Sequence, residues 1–245
     1  MSNRTHKYMI FTSAGENTHF LEWWVSKEQM YDIYVFYYGE NEDLFNKYKS
    51  KVTHIEKSKG SKFQNFYKFY TKNPDIIQRY DYFFLLDDDI EIKHTNINKM
   101  FFIAEMYKLH ICAPSFTSKS KISWPHTLHK PHVFLSYTNF IEVNAPLYSK
   151  NALKALMKCY DPRLIGWGID YLATWANGLY KQSSYAIIHS IQCTNPKESE
   201  KKNKKRELFK ISNSEHREKT WNEYANEIGC PRRFKILTYT TLYKK

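Results

Sequence analysis

The stretch that decides the fold is YFFLLDDD at residues 82–89, where five apolar residues lead directly into three aspartates. A short apolar run rich in aromatic residues is typical of a buried strand, so the aspartates are expected where that strand leaves the core. Three adjacent carboxylates repel one another, and a divalent cation relieves that repulsion because Mg²⁺, Mn²⁺ and Ca²⁺ prefer oxygen ligands. The pattern predicts a metal site at Asp87, Asp88 and Asp89. A solvated acidic turn is the alternative.

Strand and helix patterns alternate on both sides of this stretch. Residues 62–72 give the clearest helix, because their apolar positions recur at i, i+3, i+4 and i+7. Further strands are predicted at residues 8–12, 33–38, 52–55 and 111–114, and further helices near residue 20, at 43–49 and near residue 100. Sequential strand and helix signals indicate an α/β fold with parallel strands.

The second half of the chain is less regular. It predicts strands at residues 140–143, 185–188 and 234–243, and helices at 149–159, 169–177 and around 221–228. The strand at 185–188 is expected to end at His189. Residues 196–210 carry seven basic and three acidic residues, which favours an exposed loop, with a lid over a bound ligand as the alternative.

Composition narrows the function classes. The 245 residues carry a formal charge of +12, which implies an anionic partner such as nucleic acid, acidic lipid or a nucleotide diphosphate. The four cysteines form no CxxC pair, so neither a zinc module nor a disulfide framework is indicated. No apolar window approaches the length of a membrane span, and we expect a soluble, cytoplasmic protein.

Four segments in order resemble the landmarks of metal-dependent GT-A glycosyltransferases: residues 81–92, residues 140–146, residues 166–170 and the late strand with His189. The likeness is nearest to the small glycosyltransferases of chloroviruses and a related plant and bacterial family. It implies a single GT-A (Rossmann-like) α/β domain over residues 1–245, with a mixed, mostly parallel central sheet flanked by helices. Residues 1–110 would form the nucleotide-binding half and residues 111–195 the acceptor half. A basic loop, a helix and a strand would follow in residues 196–245.

The resemblance also implies an activity. The enzyme would move a sugar from a nucleotide diphosphate donor, a UDP-sugar, to a hydroxyl of a glycan, with Mn²⁺ or Mg²⁺ as cofactor. Asp89 corresponds to the direct metal ligand, Asp87 to a ligand of the metal or the ribose, and Asp88 to a donor contact. His189 matches a late metal ligand, although a lone histidine is more often structural.

Donor contacts are implied at two further places. Thr12, Ser13, Ala14 and Gly15 match the nucleotide-binding turn of the family, and a simple turn is the alternative. Lys62 lies where a helix begins, so its charge and the free backbone N–H groups can meet a phosphate. A surface lysine is the other interpretation.

The candidate base is Asp170, which follows a Gly-Trp-Gly loop and opens a helix. It would accept the proton of the attacking acceptor hydroxyl, and a single positioned base predicts inversion of configuration. Its alternative role is an acidic residue favoured by the helix dipole. Trp167 can offer a platform for an acceptor sugar ring, or it can be a packing residue.

Two other classes of protein stay open. A metal-dependent nuclease or other phosphoryl-transfer enzyme also combines carboxylates, a cation and positive charge, but it needs a second acidic cluster. In the sequence the only candidates, Glu142 and Asp170, are isolated. A basic nucleic-acid-binding module is the third possibility, although the basic residues are not interleaved with aromatic residues as in known motifs.

Overall fold

A computed structural model describes residues 6–197 and 211–244. Within these ranges nine strands form one sheet. They are β1 Tyr8–Ala14, β2 Asp32–Tyr37, β3 His54–Lys57, β4 Tyr82–Leu85, β5 Ile111–Phe116, β6 Val133–Thr138, β7 Leu147–Ser149, β8 Tyr185–Cys193 and β9 Thr238–Tyr243. Their order across the sheet is β3-β2-β1-β4-β7-β5-β8-β6-β9.

Eight α-helices of the described ranges cover the sheet. They are α1 Phe20–Trp23, α2 Glu42–Lys49, α3 Lys62–Lys72, α4 Pro74–Gln78, α5 His94–Met106, α6 Lys150–Cys159, α7 Ile169–Asn177 and α8 Ser214–Glu227. Helix α3 begins at a capping box in which the Ser61 hydroxyl accepts from the Gln64 N–H and the Gln64 side chain accepts from the Ser61 N–H. This cap explains why the helix starts where the sequence predicts.

The first half of the sheet is parallel. Strand β1 is buried along its whole length and lies between β2 and β4, with Ile10 opposite both Ile33 and Phe84. Parallel neighbours end at the same edge of a sheet, so the carboxyl ends of β1, β2 and β4 lie side by side. The aspartates that follow β4 lie at this edge.

Strand β7 changes the direction of the sheet. It lies between β4 and β5 and is antiparallel to both. Strand β6 is antiparallel to β8 and to β9 as well, whereas β5 and β8 are parallel. The α/β class and the mixed sheet flanked by helices are thus confirmed. Among the described strands, parallel and antiparallel pairs occur in equal number.

The sheet separates two apolar layers. On one face α3, α6, α7 and α8 pack around buried aromatic residues such as Phe66 and Trp221. On the other face α1, α2 and α5 pack around residues such as Trp24 and Phe101. We call these the α7 layer and the α5 layer. Burial of side chains of this size is the main favourable contribution to folding.

Several predicted strand bounds were wrong. Residues 140–143 form no strand; they lead into a turn, and the strand that pairs with β4 is Leu147–Ser149. The third strand lies at His54–Lys57, two residues later than predicted at both ends. Strand β8 continues through His189 to Cys193, so this histidine does not mark a strand end. Most of the predicted basic loop at 196–210 lies outside the described residues.

Among the described residues, no helix combines the length and the apolar character that crossing a membrane requires.

Candidate active site

The aspartate triplet lies at the carboxyl edge of the parallel strands and is tied to the end of β1. The Asp88 carboxylate accepts a hydrogen bond from the Gly15 N–H at 3.0 Å and one from the Tyr38 hydroxyl at 3.2 Å. The Asp88 carbonyl accepts from the Thr18 hydroxyl at 2.6 Å. Three loops, which follow β1, β2 and β4, therefore meet at one aspartate.

Lys62 lies directly beneath the triplet. Its ammonium is 2.7 Å from an Asp87 carboxylate oxygen and donates to the carbonyls of Leu85, Val143 and Asn144 at 2.9, 2.7 and 3.2 Å. Three N–H donors thus meet four acceptors, and the side chain is buried. The predicted contact of Lys62 with a donor phosphate stays a prediction, and it requires these donors to rearrange.

The last residues of β1 are buried by close packing. Thr12 and Ser13 are buried, and the Ser13 hydroxyl accepts from the Asn65 side chain at 2.9 Å. Gly15 lies so close to Tyr38 that a Cβ at this position would overlap the tip of the tyrosine ring and force it to move. The predicted turn at residues 12–15 is therefore wrong in its bounds: Thr12, Ser13 and Ala14 belong to β1, and only Gly15 follows the strand, where it packs against Tyr38 just after β2.

Burial dominates the electrostatics of the triplet. It raises the pKa of Asp88 to about 7, with Asp89 and Asp87 adding repulsion and the Gly15 N–H opposing the shift. Burial also lowers the pKa of Lys62, while the nearby aspartates raise it again. A nearby positive charge stabilises the ionised form of such carboxylates and lowers their pKa values.

Asp170 and Glu142 are two further acidic residues near this edge of the α7 layer. Asp170 is in the first turn of α7, where its carboxylate accepts from the Tyr171 N–H at 2.9 Å. Burial raises the pKa of Asp170 to about 7, and the negative charge of Glu142 contributes to the rise. Glu142 and Asp170, which are isolated in the sequence, therefore influence each other's charge in the fold.

Glu142 also connects this pair to the triplet. It is buried, and one of its carboxylate oxygens accepts from the Asn144 side chain at 2.8 Å. The Asn144 carbonyl in turn accepts from the Asp87 N–H at 2.9 Å. The turn at residues 142–144 thus bridges the two groups of carboxylates, a role that sequence reasoning missed because the residues are distant in the chain.

The loop before α7 is held by close packing. Gly168, the N-cap of α7, has a φ of +80°, and a Cβ there would overlap the ring of the buried Trp221. Trp167 is partly exposed and packs against the α7 layer. Its predicted contact with an acceptor sugar stays a prediction.

His189 has surroundings that do not suit metal ligation. It is fully buried, and its Nδ1 accepts a hydrogen bond from the Lys130 N–H at 3.2 Å. This bond leaves the proton of a neutral ring on Nε2, which has no hydrogen-bond partner among the residues that the structure describes and carries no lone pair for a cation. Burial lowers the pKa of His189 to about 4, with Lys130 and His129 adding to the effect.

The carboxylates fit a divalent cation better than the histidine does. Asp87 and Asp89 are partly exposed at the sheet edge and supply the oxygen ligands that Mn²⁺ and Mg²⁺ prefer. Within residues 6–197 and 211–244, no three His, Cys, Asp or Glu side chains are already grouped around one metal position.

The fold and the site together define an α/β protein with an acidic site at the carboxyl edge of its parallel strands. Residues 2–137, more than half of the chain, match the family described as "Protein of unknown function (DUF707)". The chain therefore belongs to this family. No curated protein matches its sequence.

Solved structures of TarS from S. aureus share the fold. The structure of TarS 1–349 in complex with UDP-GlcNAc has a TM-score of 0.58 at 10% identity, over 91% of this chain and 66% of that one. The structure described only as TarS 1–349 has a TM-score of 0.56 at 9% identity, over 91% of this chain and 65% of that one. A longer TarS structure gives 0.53 at 9% identity, over 90% and 43%. The chain thus spans less than two thirds of each TarS chain, and at these identities the likeness shows the fold alone.

Proposed function

We propose that the protein is a metal-dependent glycosyltransferase that moves a sugar from a nucleotide diphosphate donor, a UDP-sugar, to a hydroxyl of a glycan. One observation carries the proposal: the triplet at Asp87–Asp89 lies where three parallel strands end, hydrogen-bonded to Gly15 at the end of β1. Ligands of open α/β sheets bind at this edge. The fold likeness to TarS, whose structure is described with UDP-GlcNAc, supports the same class.

On the donor side, the proposal gives each loop a task. Residues 12–15 would hold the base and ribose, because they end the central strand and Gly15 already contacts Asp88. Asp88 would orient the ribose, and Lys62 would hold Asp87 in place from below. Asp87 and Asp89 would hold Mn²⁺ or Mg²⁺. The bound cation would supply Lewis-acid stabilisation of the departing diphosphate.

On the acceptor side, Asp170 would be the general base. It would take the proton of the acceptor hydroxyl as that oxygen forms a bond to the anomeric carbon and the bond from that carbon to the diphosphate breaks. A carboxylate with a pKa near 7 is well matched to this proton transfer. Attack from the face opposite the leaving group inverts the configuration, and Trp167 would support the acceptor ring.

The nuclease alternative gains one argument from the structure, because Glu142 and Asp170 provide the second acidic group that it needs. The fold likeness favours sugar transfer over it. The nearer likeness to chlorovirus enzymes stays a prediction. Metal ligation by His189 also stays a prediction, and the hydrogen bond at its Nδ1 argues against it.

The test is a screen of nucleotide sugars for hydrolysis by the full chain, with Mn²⁺ or with a chelator. We expect at least one UDP-sugar to be hydrolysed only with the metal, and Asp89→Ala to abolish the reaction. Asp75→Ala on the exposed face of α4 is the matched control and should keep full activity. Cleavage of an oligonucleotide without turnover of any nucleotide sugar would instead support the nuclease.

A further inference from the structure

A cavity of about 180 Å³ opens on the α5 layer, beyond the acidic triplet. Its walls come from the end of α1, the segment between β4 and α5, the first turn of α5, the residue after β5 and the end of β8; they include Trp23, Glu91, Lys93, Asn96, Thr117 and Gln192. Glu91 and Thr194 fix its base through two backbone hydrogen bonds of 2.9 and 3.0 Å. We call it the Trp23 cavity.

The Trp23 cavity is separate from the proposed base. Asp170 belongs to α7, which packs on one face of the sheet, whereas Trp23 packs with α1 and α5 on the other. Glu91 follows the triplet by two residues, so the cavity lies beside the donor edge and on the far side from Asp170. A ligand held there is distinct from the group that receives the sugar.

Polar groups in the cavity are available to a ligand. The side chains of Glu91 and Asn96 make no hydrogen bond or ion pair with any other residue that the structure describes. Gln192 is exposed, and among these residues its side chain hydrogen-bonds only to the ring of His129, at 3.1 Å. A few convergent polar groups in a concave site are typical of small-molecule binding.

Charge and size indicate the class of ligand. The chain as a whole carries +12, yet this cavity has one carboxylate and one ammonium, Glu91 and Lys93. A balanced site gives no net attraction to a phosphate or a carboxylate. The partly exposed indole of Trp23 offers an apolar face beside amide and hydroxyl groups, which matches a sugar ring with its C–H face and its hydroxyls. The volume suits one ring.

We propose that the Trp23 cavity binds a neutral pyranose residue of a carbohydrate chain, at a site additional to the transfer site. Trp23 packs on the ring, and Glu91, Asn96 and Gln192 hydrogen-bond its hydroxyls. The site holds a glycan on the enzyme without a nucleotide or a metal.

The experiment measures binding of a panel of methyl pyranosides to the full chain by saturation-transfer NMR, with a chelator present and no nucleotide. We expect at least one methyl pyranoside to bind, and Asn96→Ala and Gln192→Ala each to weaken that binding about fivefold, as expected for one lost hydrogen bond. Trp23→Phe should weaken it further. Asn222→Ala on α8, an equal truncation far from the cavity, should leave binding within about twofold.

Either of two results overturns the proposal: no methyl pyranoside binds, or binding is unchanged in both Asn96→Ala and Gln192→Ala. Because the assay contains neither nucleotide nor free metal, its result is independent of donor turnover. If the protein hydrolyses a nucleotide sugar but binds no pyranoside, only the proposed sugar site in the Trp23 cavity is refuted. If it binds a pyranoside through the cavity but hydrolyses no donor, only the proposed function is refuted.

Discussion

The buried ammonium of Lys62 lies 2.7 Å from a carboxylate oxygen of Asp87. The lysine side chain is 8% exposed and the aspartate 40% exposed, so the pair joins the core to the surface of the site. The same ammonium donates to the carbonyls of Leu85 and Val143. Helix α3, strand β4 and the turn that follows residue 140 are thereby held together directly under the acidic triplet.

Removing this ammonium should destabilise the fold. Lys62→Met leaves buried carbonyl acceptors without donors and removes the charge beneath Asp87. We expect the free energy of unfolding, measured with urea, to fall by about 2–4 kcal/mol, which is less than the roughly 3–5 kcal/mol for a fully buried pair because Asp87 is partly solvated.

Lys68→Met is the matched control, since Lys68 is an exposed lysine of the same helix. It should change the free energy of unfolding by less than about 0.5 kcal/mol. Equal losses in the two variants would mean that the contacts of Lys62 add nothing beyond those of a surface lysine.

Asp170 should control the pH dependence of transfer. Its pKa of about 7 means that the carboxylate becomes protonated as the pH falls through 7, and a protonated group cannot accept the hydroxyl proton. We expect the wild-type rate to rise with pH and level off above about 7. Asp170→Asn should keep donor binding but lower the transfer rate by about 10²- to 10⁴-fold. Full turnover in Asp170→Asn would rule out the assignment of this base.

Glu142 should tune that pH dependence. Its negative charge contributes to the raised pKa of Asp170, and Glu142→Gln removes the charge while keeping an oxygen that can accept from Asn144. The midpoint of the pH–rate profile should therefore move to lower pH. Glu223→Gln on the exposed face of α8 is the control and should leave the midpoint in place. A midpoint that moves upward in Glu142→Gln would contradict the electrostatic argument.

Gly15 and Tyr38 should be coupled. A Cβ at residue 15 would overlap the Tyr38 ring, so Gly15→Ala should cost about 1–3 kcal/mol by overpacking. Tyr38→Ala removes the obstacle, and the double variant should therefore lose less stability than the two single losses added together. Gly229→Ala, where nothing lies within 4 Å, should add to Tyr38→Ala without coupling. Strict additivity at Gly15 and Tyr38 would show that the predicted overlap has no energetic effect.

The sequence predicts the bounds of a helix well where residues next to the helix end set those bounds. The bounds of α3 and α7 agree with the sequence because a cap or a glycine precedes each helix. Residues 140–143 form no strand although Phe140, Ile141 and Val143 are apolar, since side chains buried by packing alone give the same pattern as side chains buried within a sheet. The position of β7 between β4 and β5 depends on contacts between residues far apart in the chain.

The candidate site shows the same division. The triplet follows β4 as predicted, because a buried run that ends in charges must leave the core there. The approach of Glu142 to Asp170 and the burial of Lys62 depend on tertiary packing, which spacing along the chain does not reveal. The hydrogen bond at Nδ1 of His189 is also tertiary, since it comes from the backbone of Lys130.

The most direct test of the account is calorimetric titration of the full chain with UDP, in Mn²⁺ and in a chelator, for the wild type and Asp89→Ala. We expect the wild type to bind UDP at least about tenfold more tightly with Mn²⁺, because the cation links carboxylates to diphosphate oxygens. Asp89→Ala should lose that gain. Equal UDP binding with and without Mn²⁺, unchanged in Asp89→Ala, would contradict a metal-assisted role for the triplet.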